Sequence, residues 1–362
     1  MGRVVRYGLV GTGMMGLEHI ANLAITPGAE LVAIADPVAE SLAAAKSALG
    51  ERAAQVREFA DGAALAASGL ADAVIVASPN HTHREVLEPL FDAGLHILCE
   101  KPLATTITDA RWVAERAAAS DTIFWTAMEH RYMPPAAEFI RQVHAGRIGT
   151  LRMLSIREHR FPFLDKVGDW NRFSRNTGGT MVEKCCHFFD LMRLIVRAEA
   201  VRVYCSGAMD VNHRDELYDG ARPDIIDNSY TIVDFDNGVR AMLDLCMFAD
   251  GAENQEEIAA VGDRARLEVF IPEGVLTFSP RTGFMNPKTP ERSFVGVDPA
   301  ALAAGSHHGA TYYEHQAFIA AVRGEGPCDV TAEDGLRAVA IGVAAETSAR
   351  EKRVVTMAEL GF

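Results

Sequence analysis

The tightest constraint on this chain is the run Gly11-Thr12-Gly13-Met14-Met15-Gly16, which stands between a β-rich apolar segment, Val4–Val10, and a helical stretch that starts at Leu17. Glycines at this spacing let a strand turn into a helix. The first makes the tight turn, the second lets the backbone approach a pyrophosphate, and the third allows close helix-strand packing, with the phosphates over the helix N-terminus. The spacing alone is a weak signal. It gains weight from Asp36, which ends the second predicted strand about 20 residues past Gly16, where a carboxylate accepts hydrogen bonds from both adenosine ribose hydroxyls. Asp36 repels a 2′-phosphate and Pro37 supplies no cation to hold one, so the expected cofactor is NAD rather than NADP. The candidate cofactor-binding residues here are Gly11, Thr12, Gly13, Met14, Met15, Gly16 and Asp36.

From residue 3 to 128 short apolar runs alternate with Ala-rich amphipathic stretches. The predicted strands are Val4–Val10, Leu31–Ala35, Ala73–Ala77, His96–Cys99 and Thr122–Ala127. Such βαβα alternation with short loops predicts an α/β fold with a doubly wound, mostly parallel sheet. Near Met133-Pro134-Pro135 the pattern changes. After one helix, Ala136–His144, long strands dominate: Thr150–Glu158, Val201–Ala208, Ile225–Phe235, Val239–Phe248, Ile258–Val261 and Arg266–Phe270, with Asp236-Asn237-Gly238 as a hairpin turn. This predicts a second unit with a large, mostly antiparallel sheet, and a division into residues 1–128 and 129–362. Helices are expected at Thr311–Val322 and Ala332–Glu351, and the Pro/Gly-punctuated stretch Ser279–His308 reads as a lid or an oligomer contact.

With 362 residues, 49% of them apolar and 23% charged, the chain has the composition of a globular protein long enough for two cores. Its net charge of −14 argues against nucleic acid and anionic membrane surfaces as partners. No apolar run approaches the length of a membrane span and the start lacks the blocks of a signal peptide, so a cytoplasmic location is expected. The six cysteines include no C-x-x-C pair, which excludes a zinc knuckle or a disulfide framework.

Ligands of doubly wound sheets lie at the C-terminal ends of the strands. Ser78-Pro79-Asn80-His81-Thr82-His83 follows one predicted strand and Glu100-Lys101-Pro102 the next. A lysine buried beside a nicotinamide loses hydration and can donate a proton or a hydrogen bond near neutral pH. By itself Glu100-Lys101-Pro102 also reads as a surface ion pair before a helix. Together with a later Gly178-Gly179 turn followed by His187 and Asp190, these motifs resemble the Gfo/Idh/MocA oxidoreductases across essentially the whole chain. The resemblance implies an N-terminal Rossmann domain and a C-terminal α/β domain whose open sheet backs the substrate pocket and forms oligomer contacts, so a dimer or tetramer is expected. It implies that Lys101 reaches the nicotinamide and the reacting hydroxyl. It further implies that Ser78, Pro79, Asn80 and His83 border the cofactor and that Glu100 helps to position it.

On the substrate side, Gly178-Gly179 reads as a turn opening one helix, on which Glu183, His187 and Asp190 share a face. An imidazole there can take the hydroxyl proton while a carboxylate one turn away orients it or grips a neighbouring hydroxyl. The candidate catalytic residues are therefore Lys101, His187 and Glu183. The family pattern commonly has Asp where this chain has Glu183, and Gly where it has Cys185, so Glu183 is read chiefly as a substrate ligand. Lys184 is expected to be exposed and to face away from His187. Cys185 and Cys186 read as buried small hydrophobes, because adjacent helix positions diverge and cannot close a tetrahedral site with His187; no metal is expected. Trp170, Asn171 and Arg172 are candidate substrate contacts, Trp for the C–H face of a ring and the other two for hydroxyls. His130-Arg131-Tyr132 and His307-His308 are weaker candidates for the pocket.

These residues predict an NAD-dependent oxidoreductase acting on a secondary alcohol of a cyclic polyol, sugar or sugar derivative. Two rivals are redox-assisted glycoside cleavage with no net cofactor turnover, and a non-catalytic dinucleotide sensor. Lys101 and His187 together speak against the sensor.

Overall fold

The computed structural model describes residues 2–362. The first unit runs β1 (Val5–Val10), α1 (Met14–Ile25), β2 (Ala29–Ala35), α2 (Ala39–Leu49), β3 (Arg57–Phe59), α3 (Gly62–Ala67), β4 (Ala73–Val76), α4 (His83–Asp92), β5 (His96–Glu100), α5 (Ile107–Ala118) and β6 (Phe124–Ala127). Its six strands are parallel in the order β3-β2-β1-β4-β5-β6. The order reverses between β1 and β4, which opens a crevice beyond their carboxyl ends. Strands β1 and β4 are apolar along nearly their whole length because helices cover both faces.

The second unit contains α6 (Pro134–His144), β7 (Leu151–His159), α7 (Ser174–Thr177), α8 (Thr180–Glu183), α9 (Cys186–Val196), β8 (Ala200–Ala208), β9 (Asn228–Phe235), β10 (Arg240–Cys246), β11 (Glu256–Gly262), β12 (Ala265–Ile271), β13 (Val275–Pro280), β14 (Glu291–Phe294), α10 (Pro299–Ala303), α11 (Ala310–Val322), α12 (Ala332–Glu351) and β15 (Val355–Thr356). Nine strands pair in the order β14-β13-β12-β11-β7-β10-β9-β8-β15, all antiparallel except β7 with β10. Along β9 and β11 buried side chains alternate with more exposed ones, so one face of the sheet packs on helices and the other is open.

The last helices return to the first unit. Phe318 and Ile319 of α11 pack with Ile20 and Leu23 of α1, and Leu336 and Val339 of α12 join the core under α5. Further along, Ile341 and Ala344 of α12 belong to the core of the large sheet. A capping box, Thr331 with Asp334, starts α12. Gly342 lets α12 approach α8, since a Cβ there would lie 2.7 Å from the Met181 carbonyl oxygen.

The Ser279–His308 stretch carries β14 and α10, and its end is anchored where His307 Nδ1 lies 2.7 Å from Glu18 Oε1 on α1. Two features depart from the sequence reading. The helix after Gly179 is not continuous: it stops at Glu183 and restarts at Cys186, so Glu183, His187 and Asp190 do not share one face. Asp190 turns instead to Arg131, whose Nε donates to it at 2.6 Å. Lys184 is buried rather than exposed, 3.1 Å from the Glu158 carboxylate, because the break turns it toward β7.

Candidate active site

A cavity of about 630 Å³ follows the crevice from Asp36 to Lys101. Its shape begins with the glycine turn. Gly11 has φ +91°, and a Cβ there would sit 2.5 Å from the Ala77 carbonyl, while one on Gly16 would sit 2.3 Å from Gly11 O. Both positions therefore admit only glycine. A Cβ on Gly13 would meet nothing within 4 Å, so the turn leaves open space where a pyrophosphate can approach backbone N–H groups at the start of α1. Thr12 and Gly16 are not in the wall; they hold its shape.

At the far end Asp36 Oδ2 accepts the Thr12 backbone N–H at 2.7 Å and its hydroxyl at 3.0 Å, and Oδ1 accepts the Val38 N–H at 2.9 Å. A carboxylate has about four lone-pair sites and three are taken, so Asp36, which lines the cavity, keeps one for a ribose hydroxyl. Opposite it, Ser78, Pro79 and Asn80 form the other wall, and Asn80 Nδ2 is buried without a partner, a spare donor. His83, in contrast, does not reach the cavity. Its ring nitrogens lie 3.0 Å from Pro102 O and 3.1 Å from Ser78 O, so it braces two strand-end loops against each other. The residues present thus fit a dinucleotide.

One test of this fit is cofactor choice. Wild type is expected to prefer NAD, and replacing Asp36 with Ser together with Pro37 with Arg should shift the kcat/KM ratio toward NADP by at least about tenfold, or ~1.4 kcal/mol. A wild type that prefers NADP would remove Asp36 from the ribose site.

Lys101 closes the other end, where Met14, Glu100, Lys166, Trp170 and Glu183 also line the cavity. Lys101 Nζ lies 3.5 Å from the Glu183 carbonyl oxygen. Burial disfavours its charge, but Glu129, Glu100 and Glu183 outweigh burial and hold the ammonium above the ordinary lysine range. Of the two roles expected of Lys101, proton donor or hydrogen-bond donor, a raised pKa favours the second. Lys166 comes in from the loop before α7, 3.4 Å from Glu183 Oε1 and 4.6 Å from the Trp170 ring centre. Burial pushes the Lys166 pKa down and the Glu183 pKa up. Glu183 Oε2 stays unpartnered.

Set back behind this wall, His187 is buried, with Nε2 3.3 Å from Glu129 Oε1 and its ring stacked on His130 at 3.9 Å and 5°. Burial, reinforced by His130 and Lys101, pushes the His187 pKa well down, so the ring is neutral. Both Glu129 oxygens, His187 Nδ1 and His130 Nδ1 are buried and lack hydrogen-bond partners. Native interiors rarely leave so many polar atoms unmatched. Glu129, His130 and His187 also lie close enough to suggest a metal. Parallel rings do not converge their lone pairs on one ion, and Lys101 and Lys184 face both of them, so the arrangement suits hydroxyls better.

Of the other candidates, Trp170 lines the cavity but Asn171 and Arg172 turn away. Asn171 Nδ2 donates to Leu164 O at 3.0 Å, and Arg172 pairs with Asp165 at 2.6 Å and Glu216 at 3.1 Å, holding the loop rather than the pocket. Cys185 and Cys186 are fully buried among apolar side chains. The sequence reading missed Glu129 and Lys166. Glu129 follows β6, another parallel strand whose carboxyl end faces the crevice, and that position was its signal; Lys166 sits in a loop with no motif.

A glycine turn after β1, a carboxylate after β2 and a lysine after β5, all at the carboxyl ends of one parallel sheet, are the arrangement of a dinucleotide-binding oxidoreductase. Residues 5–128 match the oxidoreductase family NAD-binding Rossmann fold and residues 140–357 the oxidoreductase family C-terminal alpha/beta domain. The chain belongs to the Gfo/Idh/MocA family of NAD-binding oxidoreductases. It is 28% identical over 358 residues to the myo-inositol 2-dehydrogenase of Thermotoga maritima, covering 98% of this chain and 99% of that one. It is 26% identical over 366 residues to the inositol 2-dehydrogenase of Rhizobium meliloti, covering 98% and 99%. The crystal structure of a probable dehydrogenase from Thermotoga maritima superimposes with a TM-score of 0.79 at 26% identity, over 98% of this chain and 99% of that one.

Proposed function

We propose that this oxidoreductase acts on a secondary alcohol of a cyclic polyol, with inositols as the first substrates to test. The observation that carries the reading is the unsatisfied set of buried acceptors and donors, Glu129, His130 and His187, next to the charged Lys101. A polyol brings several hydroxyls, each both donor and acceptor, and can satisfy such a set where a monofunctional alcohol cannot. The names of the two inositol dehydrogenase relatives support the same class.

When bound, NAD supplies the two-electron acceptor for the carbinol carbon. Lys101 donates a hydrogen bond to the reacting oxygen and stabilises the negative charge that develops there. The neutral His187 ring takes the hydroxyl proton, and Glu129 beside Nε2 stabilises the imidazolium that results. Glu183, with a free Oε2 and Lys166 alongside, grips a neighbouring hydroxyl. Loop residues Lys166 and Trp170 cover this end and restrict water.

Among the described residues no helix is long and apolar enough to cross a membrane. The open face of the large sheet exposes Met153, Tyr204, Tyr230, Ile232 and Met242. That patch supports a homo-oligomer built through this face.

The decisive experiment incubates purified protein and NAD with a panel of inositols, aldoses and anhydrosugars and follows nicotinamide absorbance. Saturable NADH formation with one or more inositols is the expected result. No NADH with any ring polyol would reject the reading, and substrate consumption without NADH would indicate internal return of the electrons.

A further inference from the structure

Glu100 heads a buried chain of polar groups that runs away from the substrate end. His19 Nε2 lies 3.0 Å from Glu100 Oε1, and His19 Nδ1 lies 3.0 Å from His315 Nε2. The other Glu100 oxygen accepts the Lys101 backbone N–H at 3.1 Å. The three links come from three elements: His19 from α1, Glu100 from the end of β5 and His315 from α11. Both rings are fully buried. His315 packs edge-on against Tyr7, with ring centres 5.8 Å apart.

Proton positions along this chain follow from donor counting. An ionised carboxylate only accepts, so His19 must carry its proton on Nε2. With one proton on that ring its Nδ1 is an acceptor, and His315 then donates to it from Nε2. His315 Nδ1 is left as a bare acceptor, and of the four ring nitrogens of His19 and His315 it is the one buried with no partner. Burial pushes Glu100 upward, but the His19 hydrogen bond and the Lys101 charge hold its carboxyl below the usual range; burial pushes the His315 pKa well down.

We propose that His19 and His315 are positioning residues for the oxidoreductase site: they fix the Glu100 carboxylate, which anchors the Lys101 backbone and keeps a negative charge beside its ammonium. The functional part of this proposal rests on Lys101 acting at the reacting oxygen. A residue far along the sequence, on a helix that contributes nothing to the cavity wall, thereby sets the charge balance at the cavity. Glu100 is faced by His19 and Lys101, by Lys166 and His307 from the second unit, and by the carboxyls of Glu129 and Glu314. His83 and Cys99 lie behind it. Of these groups only His19 and His315 form a continuous donor chain onto it.

The test begins with the unmodified full chain. In protein labelled with ¹⁵N-histidine, both His19 and His315 are expected to show the Nε2–H tautomer with bare Nδ1 at neutral pH, assigned by loss of the signal in His19→Gln and His315→Gln. An Nδ1–H tautomer on either ring would overturn the proposal. The kinetic arm compares His315→Leu, which cannot donate, with His315→Gln, whose amide can. His315→Leu is expected to lower kcat about tenfold and to add an acid limb of its own, as the Glu100 carboxyl loses the hold of His19 and protonates at higher pH, with the KM for NAD changed less than about twofold, and His315→Gln to recover most of the loss. Equal kcat and equal pH profiles in the two variants would reject the positioning role. The tautomer measurement needs neither a foldable Leu variant nor a known substrate, so failure of the polyol reading would leave it decisive.

Discussion

Replacement of Lys101 with alanine is expected to lower kcat by roughly 10²–10⁴-fold, equivalent to about 3–5 kcal/mol of barrier, while leaving the thermal midpoint and NAD affinity near wild type. Its side chain makes one hydrogen bond, at 3.5 Å, to a backbone carbonyl. Its charge is what the site needs, because it faces Glu129, Glu100 and Glu183 at once. The sign of its pH dependence follows. A lysine held above its ordinary range stays protonated until the pH exceeds about 10.5, so it contributes no activity limb near neutrality. An alanine variant with wild-type kcat, or one that loses a limb near pH 7, would contradict this role.

His187→Asn is the second large effect, with an expected fall in kcat of about 10²-fold or ~3 kcal/mol. A base works in its neutral form. Burial lowers the His187 pKa well below that of free imidazole, so wild-type oxidation should persist into mildly acid solution and fall only below about pH 6.5. The asparagine variant should lack that limb. Glu129→Gln separates the imidazole from its neighbour: with the carboxylate gone, the imidazolium formed in turnover loses its stabilisation, and kcat should fall while the KM for NAD stays unchanged. Survival of the limb in His187→Asn would move the base elsewhere.

Much of the first unit could be read from the sequence because its signals are local. Glycine spacing, Asp36 and apolar strand runs each act within a few residues of where they appear. Strands without such signals escaped. β3 is three residues long, and β14, Glu291–Phe294, is an exposed edge with no alternation to betray it. The break between α8 and α9 carries no glycine or proline inside it, so periodicity alone placed Glu183 and His187 on one face. Lys184 followed the same error. Asn171 and Arg172 have the chemistry of sugar ligands, but nearby acceptors, Leu164 O, Asp165 and Glu216, claim them first. That competition is tertiary and leaves no mark in residue order. Glu129 was legible in principle, since its place after β6 obeys the same rule that singled out Ser78–His83 and Glu100–Pro102.

Helices α11 and α12 complete the packing of the first unit with Phe318, Ile319, Leu336 and Val339. During synthesis, residues 1–128 leave the ribosome roughly 200 residues before those side chains exist, a delay of roughly 10–40 s at ordinary elongation rates. Through that interval the nascent cofactor-binding half carries an uncovered apolar surface under α1 and α5. A gene segment ending near residue 128 would inherit the same defect permanently, so this cofactor-binding half is not a portable module: any transplant of it must bring along the last two helices of the chain.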